Sequence, residues 1–172
     1  GFVEKASGQD TLHWQANARG VDLNHNFDAG FTQLKVLERE QGYLAPGPTR
    51  YGGPCPFSEP ESRMLAALCH RLRPRQAYAF HSQGEEIYYE YGEHTPECAL
   101  LMAQLMAAAP GYEVARPDGI ASHGGFKDWF IQEFHRPGFT IEMGKGVNPL
   151  PIQEFWNFYQ PLRELLLLSL LL

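Results

Sequence analysis

Short apolar runs that alternate with helix-forming segments constrain the fold of this chain more than any other feature of its sequence. Residues 76–82 (QAYAFHS) form one short apolar and aromatic run, and residues 138–144 (GFTIEMG) form a second. Runs of this length predict strands, and the first predicts a buried strand that ends at His81. Because helix signals separate the two runs, we predict an α/β fold over a single domain, residues 1–172.

Proline and glycine mark the ends of the predicted helices. The sequence SEPE at residues 58–61 is typical of a capping box with an early proline, and it predicts a helix over about residues 58–73. A second helix is predicted over residues 99–109, after a Thr-Pro-Glu start signal. A third is predicted over residues 126–134, directly after a Gly-Gly pair.

The C-terminal segment, from about Pro151, predicts a further helix. Eight of the last twelve residues are leucines, which is more apolar than a helix with one buried face requires. We expect a core helix that packs on the sheet. A contact with a membrane or a partner is the alternative, although twelve residues are too few for a membrane span, which takes about 20.

The charge balance and the cysteines exclude several classes of protein. The chain has 14 basic and 20 acidic side chains, a net charge of −6 and no cluster of Lys and Arg, so nucleic acid is not an expected partner. Three cysteines without Cys-x-x-Cys spacing favour neither a disulfide framework nor a thiolate zinc cluster. No apolar stretch reaches the about 18 residues that predict a membrane span.

Polar residues at the ends of apolar segments are the candidates for a functional site. Arg19, Asn24 and His25 lie in one segment, His81 ends the first predicted strand, and Glu142 lies inside the second. Ligand sites of open α/β sheets lie at the carboxyl ends of strands, so we expect these residues to converge. Glu142 has apolar neighbours, and a buried carboxylate is retained only with a partner. A metal, a role as a base or an arginine would each satisfy this requirement.

Four blocks of sequence carry a resemblance to a known family. They are residues 17–27 (NARGVDLNHNF), 51–62 (YGGPCPFSEPES), 80–89 (FHSQGEEIYY) and 124–142, which contains the pairs GG and DW and ends in FTIE. In this order, the blocks resemble the zinc carboxypeptidases of the carboxypeptidase A type. The HSQGE sequence and the leucine-rich ending resemble the bacterial branch that cleaves γ-D-glutamyl-diaminopimelate bonds in cell-wall peptides. The resemblance implies a carboxypeptidase-like mixed β-sheet flanked by helices.

The resemblance also implies a zinc site that acts on a peptide substrate. His81 matches the third zinc ligand, and Glu142 matches the general base that acts on the zinc-bound water. Arg19 matches the arginine that stabilises the oxyanion of the tetrahedral intermediate. Asn24 and His25 match the pair of residues that holds the terminal carboxylate of the substrate.

Two positions depart from the family pattern. The usual Asn-Arg pair is Asn24-His25 in this chain, and histidine lacks the permanent charge and the two-pronged geometry with which arginine binds carboxylates. Either carboxylate recognition is weaker, or the substrate presents its acid differently. Counting back from Glu142 places Ile120 where the family has a substrate-capping tyrosine, and His123 lies close enough to be a substitute.

The first two zinc ligands of the family come from a His-x-x-Glu motif upstream of the block that contains Arg19. His13 is the one histidine before Arg19, and the position three residues after it holds Ala16. Residues 94–97 (HTPE) are the one His-x-x-Glu in the chain, but they follow His81, so we interpret them as a helix-capping segment. The resemblance therefore implies the C-terminal portion of such a domain, without the first strands and without two ligands.

We expect a zinc-dependent, metallocarboxypeptidase-like hydrolase that acts on diaminopimelate-containing cell-wall peptides. A metal-free peptide-binding module and an inactive truncated fragment are the alternatives, and the fragment predicts poor folding because missing strands expose a sheet edge. Glu85 or Glu86 is a candidate partner for the amino group of a diaminopimelate side chain. Adjacent strand residues point to opposite faces, so only one of the two can reach it. The compartment stays open, either bacterial cytoplasm or secreted.

Overall fold

The structure is a computed structural model and describes residues 11–172. Within them, the strands are β1 (Ala77–His81), β2 (Glu86–Tyr88), β3 (Glu113–Ala115) and β4 (Gly138–Glu142). The α-helices are α1 (Phe31–Gln41), α2 (Pro60–Leu72), α3 (Ala99–Ala108), α4 (Phe126–Phe134) and α5 (Phe155–Ser169). Short 3-10 helices are found at Leu23–His25, Gly119–Ser122 and Ile152–Glu154.

The strands form one mixed sheet in the order β1-β4-β2-β3. The inner strand β4 pairs in parallel with β1 and antiparallel with β2, and β2 pairs in parallel with β3. The predicted α/β class, with a mixed sheet flanked by helices, is confirmed.

The alternation of β4 divides its side chains between two layers of the molecule. Phe139 and Ile141 are fully buried and pack in one apolar cluster with residues of α3 and α5. Gly138 lies on the opposite face, where α4 approaches so closely that a Cβ on this glycine would lie 3.1 Å from Cγ1 of Ile131. Because residues two apart in a strand share a face, Glu142 also lies on the α4 side of the sheet.

The predicted helices are present, with small shifts at their ends. The helix predicted over residues 58–73 is α2, and the third predicted helix coincides with α4. The predicted capping box is wrong. Glu59 is the N-cap without a side-chain cap bond, because the hydroxyl of Ser58 donates to the Glu59 carboxylate instead. Sequence reasoning missed α1, which is mainly polar and buries little more than Phe31 and Leu34.

Strand β1 is less buried than its sequence predicts. It lies within the predicted residues 76–82, but its side chains are half-buried, and Phe80 is 41% exposed. Among residues 11–172, β1 pairs with β4 alone and forms an edge of the sheet. The prediction of a buried strand is therefore wrong, because a continuous apolar run also occurs in a strand with only part of its surface covered.

The C-terminal helix α5 is a core helix along one side only. Leu162 and Leu165 are almost fully buried against the sheet and α3, as predicted for a core helix. Leu167, Leu170 and Leu171 are exposed, so the excess of leucines does not reflect burial on all sides. No helix in the described part of the chain is long and apolar enough to cross a membrane.

The segment of residues 94–97 does not cap a helix through its side chains. Helix α3 begins only at Ala99, and its N-cap, Cys98, makes no side-chain cap bond. Thr95 instead closes a turn, where its hydroxyl oxygen accepts a hydrogen bond of 2.7 Å from the amide of Tyr91. The interpretation of this segment as a helix cap is therefore wrong, although the following helix is correctly predicted.

Candidate active site

A cavity of about 580 Å³ lies at the carboxyl end of β1. Its lining brings together Asn24, His25 and His81, three of the residues singled out from the sequence. His81 lines one side of the cavity, and its register partner Glu142 on β4 lies beside it without being among the lining residues. We define the ends of β1 and β4, with His81 and Glu142, as the strand wall. Another side is the loop wall, defined as residues 22–25 and 49–50. The other lining residues are Leu12, His13, Trp14, Gln15, Ser82, Asn148 and Pro149.

The strand wall owes its geometry to backbone pairing. His81 and Glu142 are the last residues of neighbouring parallel strands and are partners in register. Glu86, on the other side of β4, is the antiparallel partner of Glu142. Register partners on adjacent strands are roughly 4.8 Å apart and point to the same face. The sheet therefore arranges His81, Glu142 and Glu86 side by side on one face.

Glu142 has the protonation behaviour of a base that works near neutral pH. Burial, and then the neighbouring charge of Glu86, raise the pKa of Glu142 to about 7. Glu86 itself accepts a hydrogen bond of 2.5 Å from the hydroxyl of Tyr88. A carboxylate whose pKa lies near the working pH gives and takes protons readily, which suits general acid–base catalysis.

The two adjacent acids after β1 have different partners. Glu85 lies 3.1 Å from the ammonium of Lys145, whereas Glu86 faces Glu142 and Tyr88. The structure thus places Glu86 and not Glu85 on the face of the strand wall. The expectation that only one of the two can reach a ligand near Glu142 agrees with this arrangement, and the binding of a substrate amine by either one stays a prediction.

His81 is set up as a neutral imidazole. Burial lowers the pKa of His81 below its ordinary value; the nearby carboxylate of Asp22 opposes this effect, and His25 adds to it. The neutral form of histidine is the form that binds metal ions. The position and the charge state of His81 therefore both fit a metal ligand.

The loop wall is held together by the carboxylate of Asp22. This side chain is only 8% exposed and accepts hydrogen bonds from the amide of Asn24 at 3.2 Å and the amide of Arg50 at 2.8 Å. The hydroxyl of Thr49 donates to the same carboxylate at 3.3 Å. Asp22 thereby fixes two separate loop segments against each other.

The buried histidine of the loop wall is enclosed by two glycines. Nδ1 of His25 donates a hydrogen bond of 3.0 Å to the carbonyl oxygen of His123. This bond does not involve Nε2, the other nitrogen of the ring. A Cβ at Gly52 would overlap the carbonyl oxygen of His25, and a Cβ at Gly124 would lie 2.7 Å from it. Gly124 also has a φ of 74°, which favours glycine. Part of the Gly-Gly signal in the sequence thus reflects close packing behind the cavity.

A comparison with protein-family models decides the relationship of this chain to known proteins. Residues 4–164, almost the whole chain, match the model described as zinc carboxypeptidase. The chain belongs to the zinc carboxypeptidase family. Within this family, it is 40% identical over 154 residues to gamma-D-glutamyl-L-diamino acid endopeptidase 1 of Lysinibacillus sphaericus. That match covers 90% of this chain and 37% of the relative.

Solved structures confirm the predicted carboxypeptidase-like fold. The crystal structure of thrombin activatable fibrinolysis inhibitor matches with a TM-score of 0.67 at 19% identity, over 91% of this chain and 42% of that one. Murein-tripeptide amidase MpaA from Escherichia coli O157 matches with a TM-score of 0.53 at 22% identity, over 87% of this chain and 59% of that one. At these identities the likeness shows the fold alone, and it covers roughly half of each structure.

The zinc of this family needs more ligands than the described residues supply. A catalytic zinc site has three protein ligands and one open position. In residues 11–172, no group of three or more His, Cys, Asp or Glu side chains is placed to hold a metal ion. His81 fits one ligand of such a site, but this part of the chain does not fit a complete one.

Arg19 lies outside the lining of the cavity. Its side chain is 69% exposed, and its Nε is 3.4 Å from a carboxylate oxygen of the fully buried Glu59. Glu59 also accepts a hydrogen bond from the amide of Asn17 at 2.8 Å. The structure does not bring Arg19 together with the strand wall, and its role at the oxyanion stays a prediction.

The position of the family's capping tyrosine does not face the cavity. Ile120 is 4% exposed and packs in an apolar cluster with Phe31 and Leu34. His123 lines a different, smaller cavity of about 260 Å³, and its Nδ1 lies 3.0 Å from the hydroxyl of Ser122. The structure therefore does not support the substitution of His123 for the tyrosine, although the main chain of His123 positions His25.

Sequence reasoning missed three residues of the site. They are Arg50, a cation in the cavity lining, Asp22, which holds the two segments of the loop wall together, and Asn26, whose side chain binds the carbonyl of Gly52 just after Arg50. The pattern around Arg50 shows only a loop rich in proline and glycine. The one available signal was that Asp22 and Asn26 lie two residues on either side of Asn24 in the first sequence block.

Proposed function

We propose that this chain is part of the catalytic domain of a hydrolase that cuts peptide bonds in bacterial cell-wall peptides containing diaminopimelate. The observation that carries the proposal is the pairing of Glu142 with His81 on one face of the sheet, where Glu142 has a pKa of about 7. The name of the relative from Lysinibacillus sphaericus, a gamma-D-glutamyl-L-diamino acid endopeptidase, supports the class of substrate.

Proton transfer is the step that the strand wall is suited to perform. As a carboxylate, Glu142 accepts a proton from the water that attacks the scissile carbonyl carbon. When the C–N bond of the tetrahedral intermediate breaks, Glu142 returns this proton to the leaving amine nitrogen. Zinc, when it is bound in a member of this family, polarises the carbonyl and acidifies the water, and His81 is the described residue that would hold it.

The loop wall is proposed to bind the substrate. The exposed amide of Asn24 lines the cavity, and His25 lines it beside Asn24 with only Nδ1 engaged by His123. Both residues are therefore placed to donate or accept hydrogen bonds near the strand wall. Glu86 shares the face of Glu142 and is the candidate partner for a substrate ammonium group.

A metal-free peptide-binding module is the second candidate function. It is favoured by the finding that residues 11–172 contain no group of three or more His, Cys, Asp or Glu side chains placed to hold a metal ion. In such a module, Asn24, His25 and Glu86 would recognise the peptide without any hydrolysis. The two candidates predict the same binding surface and differ in turnover.

The discriminating experiment measures turnover, zinc content and binding on the same purified chain. The substrate is L-alanyl-γ-D-glutamyl-diaminopimelate, with one equivalent of added zinc, and released diaminopimelate is quantified by mass spectrometry. The hydrolase predicts that a chain which retains zinc releases product, and that His81→Ala abolishes both the retention of zinc and the release of product. His70→Ala is the matched control, because His70 is 51% exposed and lies on α2 outside the cavity.

The outcomes separate the two candidates. Calorimetric binding of the peptide without turnover, with zinc absent from the dialysed chain, would support the peptide-binding module. A folded chain that neither binds nor cleaves the peptide would contradict both. Equal zinc content and turnover in His81→Ala and wild type would remove His81 from the metal site.

A further inference from the structure

We propose that Arg50 binds a free carboxylate of the peptide in the cavity and thereby selects acidic substrates. The inference rests on the proposed function for the identity of the peptide, and on the cavity itself for the chemistry. Among the described residues 11–172, Arg50 is the one Lys or Arg that lines the cavity, and Asp22 is the one Asp or Glu. Within this described lining, the permanent positive charge therefore comes from the side chain of Arg50.

Asp22, the acid that lines the cavity in the described part of the chain, is already occupied. The carboxylate of Asp22 is nearly buried and receives hydrogen bonds from two main-chain amides and a hydroxyl. It binds the amide of Arg50 and forms no ion pair with the guanidinium. In the part of the chain that the structure describes, Arg50 takes part in no ion pair at all. The guanidinium is thus available to an external anion.

The backbone at Arg50 is held in an unfavourable conformation. Its φ is 64°, in the left-handed region that a residue with a Cβ rarely adopts. Such conformations cost of order 1–3 kcal/mol and persist only where surrounding contacts enforce them. Here the contacts come from Asp22, whose carboxylate accepts from the amide of Arg50 and whose own amide donates to the carbonyl of Tyr51 at 2.7 Å. The fold therefore constrains the direction in which the side chain of Arg50 leaves the loop.

An aromatic ring supports the guanidinium. The central carbon of the Arg50 guanidinium lies 5.7 Å from the centre of the Tyr43 ring, within the range of a cation–π contact. A guanidinium supported on one face keeps the N–H groups along its edge for hydrogen bonding. This edge matches a carboxylate with two parallel hydrogen bonds, a geometry that the ammonium of lysine cannot reproduce.

The ligand class follows from this geometry. A cavity lined by Arg50, by the exposed Asn24 and by the imidazoles of His25 and His81 is suited to a peptide with a free carboxylate beside the scissile bond. A D-glutamyl or diaminopimelyl residue carries such a group. The neutral amide of the same residue would lose one of the two paired hydrogen bonds and the charge interaction.

The test compares binding of two peptides that differ only in whether their carboxyl groups are free or amidated. The probes are N-acetylated γ-D-glutamyl-diaminopimelate with free carboxylates and the same peptide with every carboxylate amidated. Dissociation constants are measured by titration calorimetry on the 172-residue chain. We expect the free acid to bind about tenfold more tightly, the size of one charge-assisted hydrogen bond at an accessible site. In Arg50→Gln, we expect this ratio to fall to about one.

Two further variants keep the test decisive. Arg39→Gln removes the same charge at an exposed position at the end of α1 and should keep the tenfold ratio. Arg50→Lys keeps the charge without the fork geometry and should keep only part of the ratio. Retention of the full ratio in Arg50→Gln, or no measurable binding of either peptide to the wild type, would overturn the proposal.

Turnover measured in parallel separates this inference from the proposed function. Equal hydrolysis of the acid and the amide peptide would support the proposed hydrolase function and would contradict the role of Arg50 in substrate selection. Selective binding that Arg50→Gln abolishes, without any hydrolysis, would keep the role of Arg50 and contradict the hydrolase.

Discussion

The two walls of the cavity are built by different kinds of interaction. The strand wall places His81 and Glu142 through the main-chain ladder between β1 and β4, including a hydrogen bond of 2.8 Å from the amide of Met143 to the carbonyl of His81. The loop wall has no such ladder and depends on the side chain of Asp22, which joins residues 22–25 to residues 49–50. In the strand wall, the main chain therefore holds the structure and the side chains carry the chemistry. In the loop wall, side chains also hold the structure.

This difference predicts opposite responses to substitution. A side chain of the strand wall can change without loss of the hydrogen bonds that position its backbone, so a substitution there should alter activity more than stability. Removal of a polar side chain beneath the loop wall leaves buried donors and acceptors unpaired, which costs about 1–3 kcal/mol for each group.

The largest effect is expected for Glu142→Gln. The amide cannot accept the proton of the attacking water, so we expect kcat to fall by roughly 10²–10⁴-fold, the usual contribution of a general base. The fold should survive, because the ladder between β1 and β4 does not use this side chain. Steady-state kinetics on the peptide substrate and thermal unfolding followed by circular dichroism measure the two quantities.

Glu85→Gln is the matched control for this substitution. Glu85 lies close in sequence to the same strands, but it faces Lys145 and not Glu142. Its kcat should stay within about threefold of the wild type. Near-normal turnover in Glu142→Gln would remove Glu142 from the mechanism and leave the strand wall without its proposed role.

Asn26→Ala should show the reverse pattern. The amide nitrogen of Asn26 donates to the carbonyls of Gly52 and Cys55 and to Ser58, while its oxygen accepts from the amide of Glu59 and the hydroxyl of Ser62. The side chain is fully buried, so these groups would lose their partner. We expect the free energy of unfolding to fall by about 3 kcal/mol in urea denaturation.

The control for this prediction is Asn157→Ala on the exposed side of α5. It should change the free energy of unfolding by less than about 0.5 kcal/mol, as exposed positions usually do. If Asn26→Ala were equally mild, the loop wall would be held by its backbone after all, and the contrast between the walls would disappear.

The same contrast explains which parts of the structure could be predicted. The strands and helices around His81 and Glu142 follow from local periodicity, and adjacent parallel strands then bring the two residues together. The environment of Arg19 and Arg50 depends on pairings between distant loops, such as Asp22 with Arg50, that no periodic pattern encodes. The family resemblance directed attention to Arg19, whose oxyanion role stays a prediction, and no pattern in the sequence indicated that Arg50 lines the cavity.

A smaller effect is expected for Glu86→Gln, on the pH dependence of the reaction. The charge of Glu86 favours the protonated form of Glu142 and helps to raise its pKa to about 7. Removal of this charge should lower that pKa, so the rise of kcat/KM with pH should move to values below about 7. Glu113→Gln removes the same charge from the exposed side chain next to Glu86 on β3 and should leave the profile in place. A profile of Glu86→Gln that coincides with the wild type would show that burial alone sets the pKa.

The smallest effect is expected for Arg19→Ala. Its guanidinium is mostly exposed and meets Glu59 at 3.4 Å, a geometry that contributes about 0–1 kcal/mol when solvent screens the pair. We expect stability to fall by no more than this amount. The position of Arg19 outside the cavity lining predicts that kcat stays within about threefold, in contrast to the oxyanion role that the family resemblance implies. A group that stabilises the oxyanion would instead cost roughly 10²–10³ in kcat. A loss of that size would mean that Arg19 reaches the strand wall during the reaction. The site would then contain a mobile element in addition to the strand wall and the loop wall.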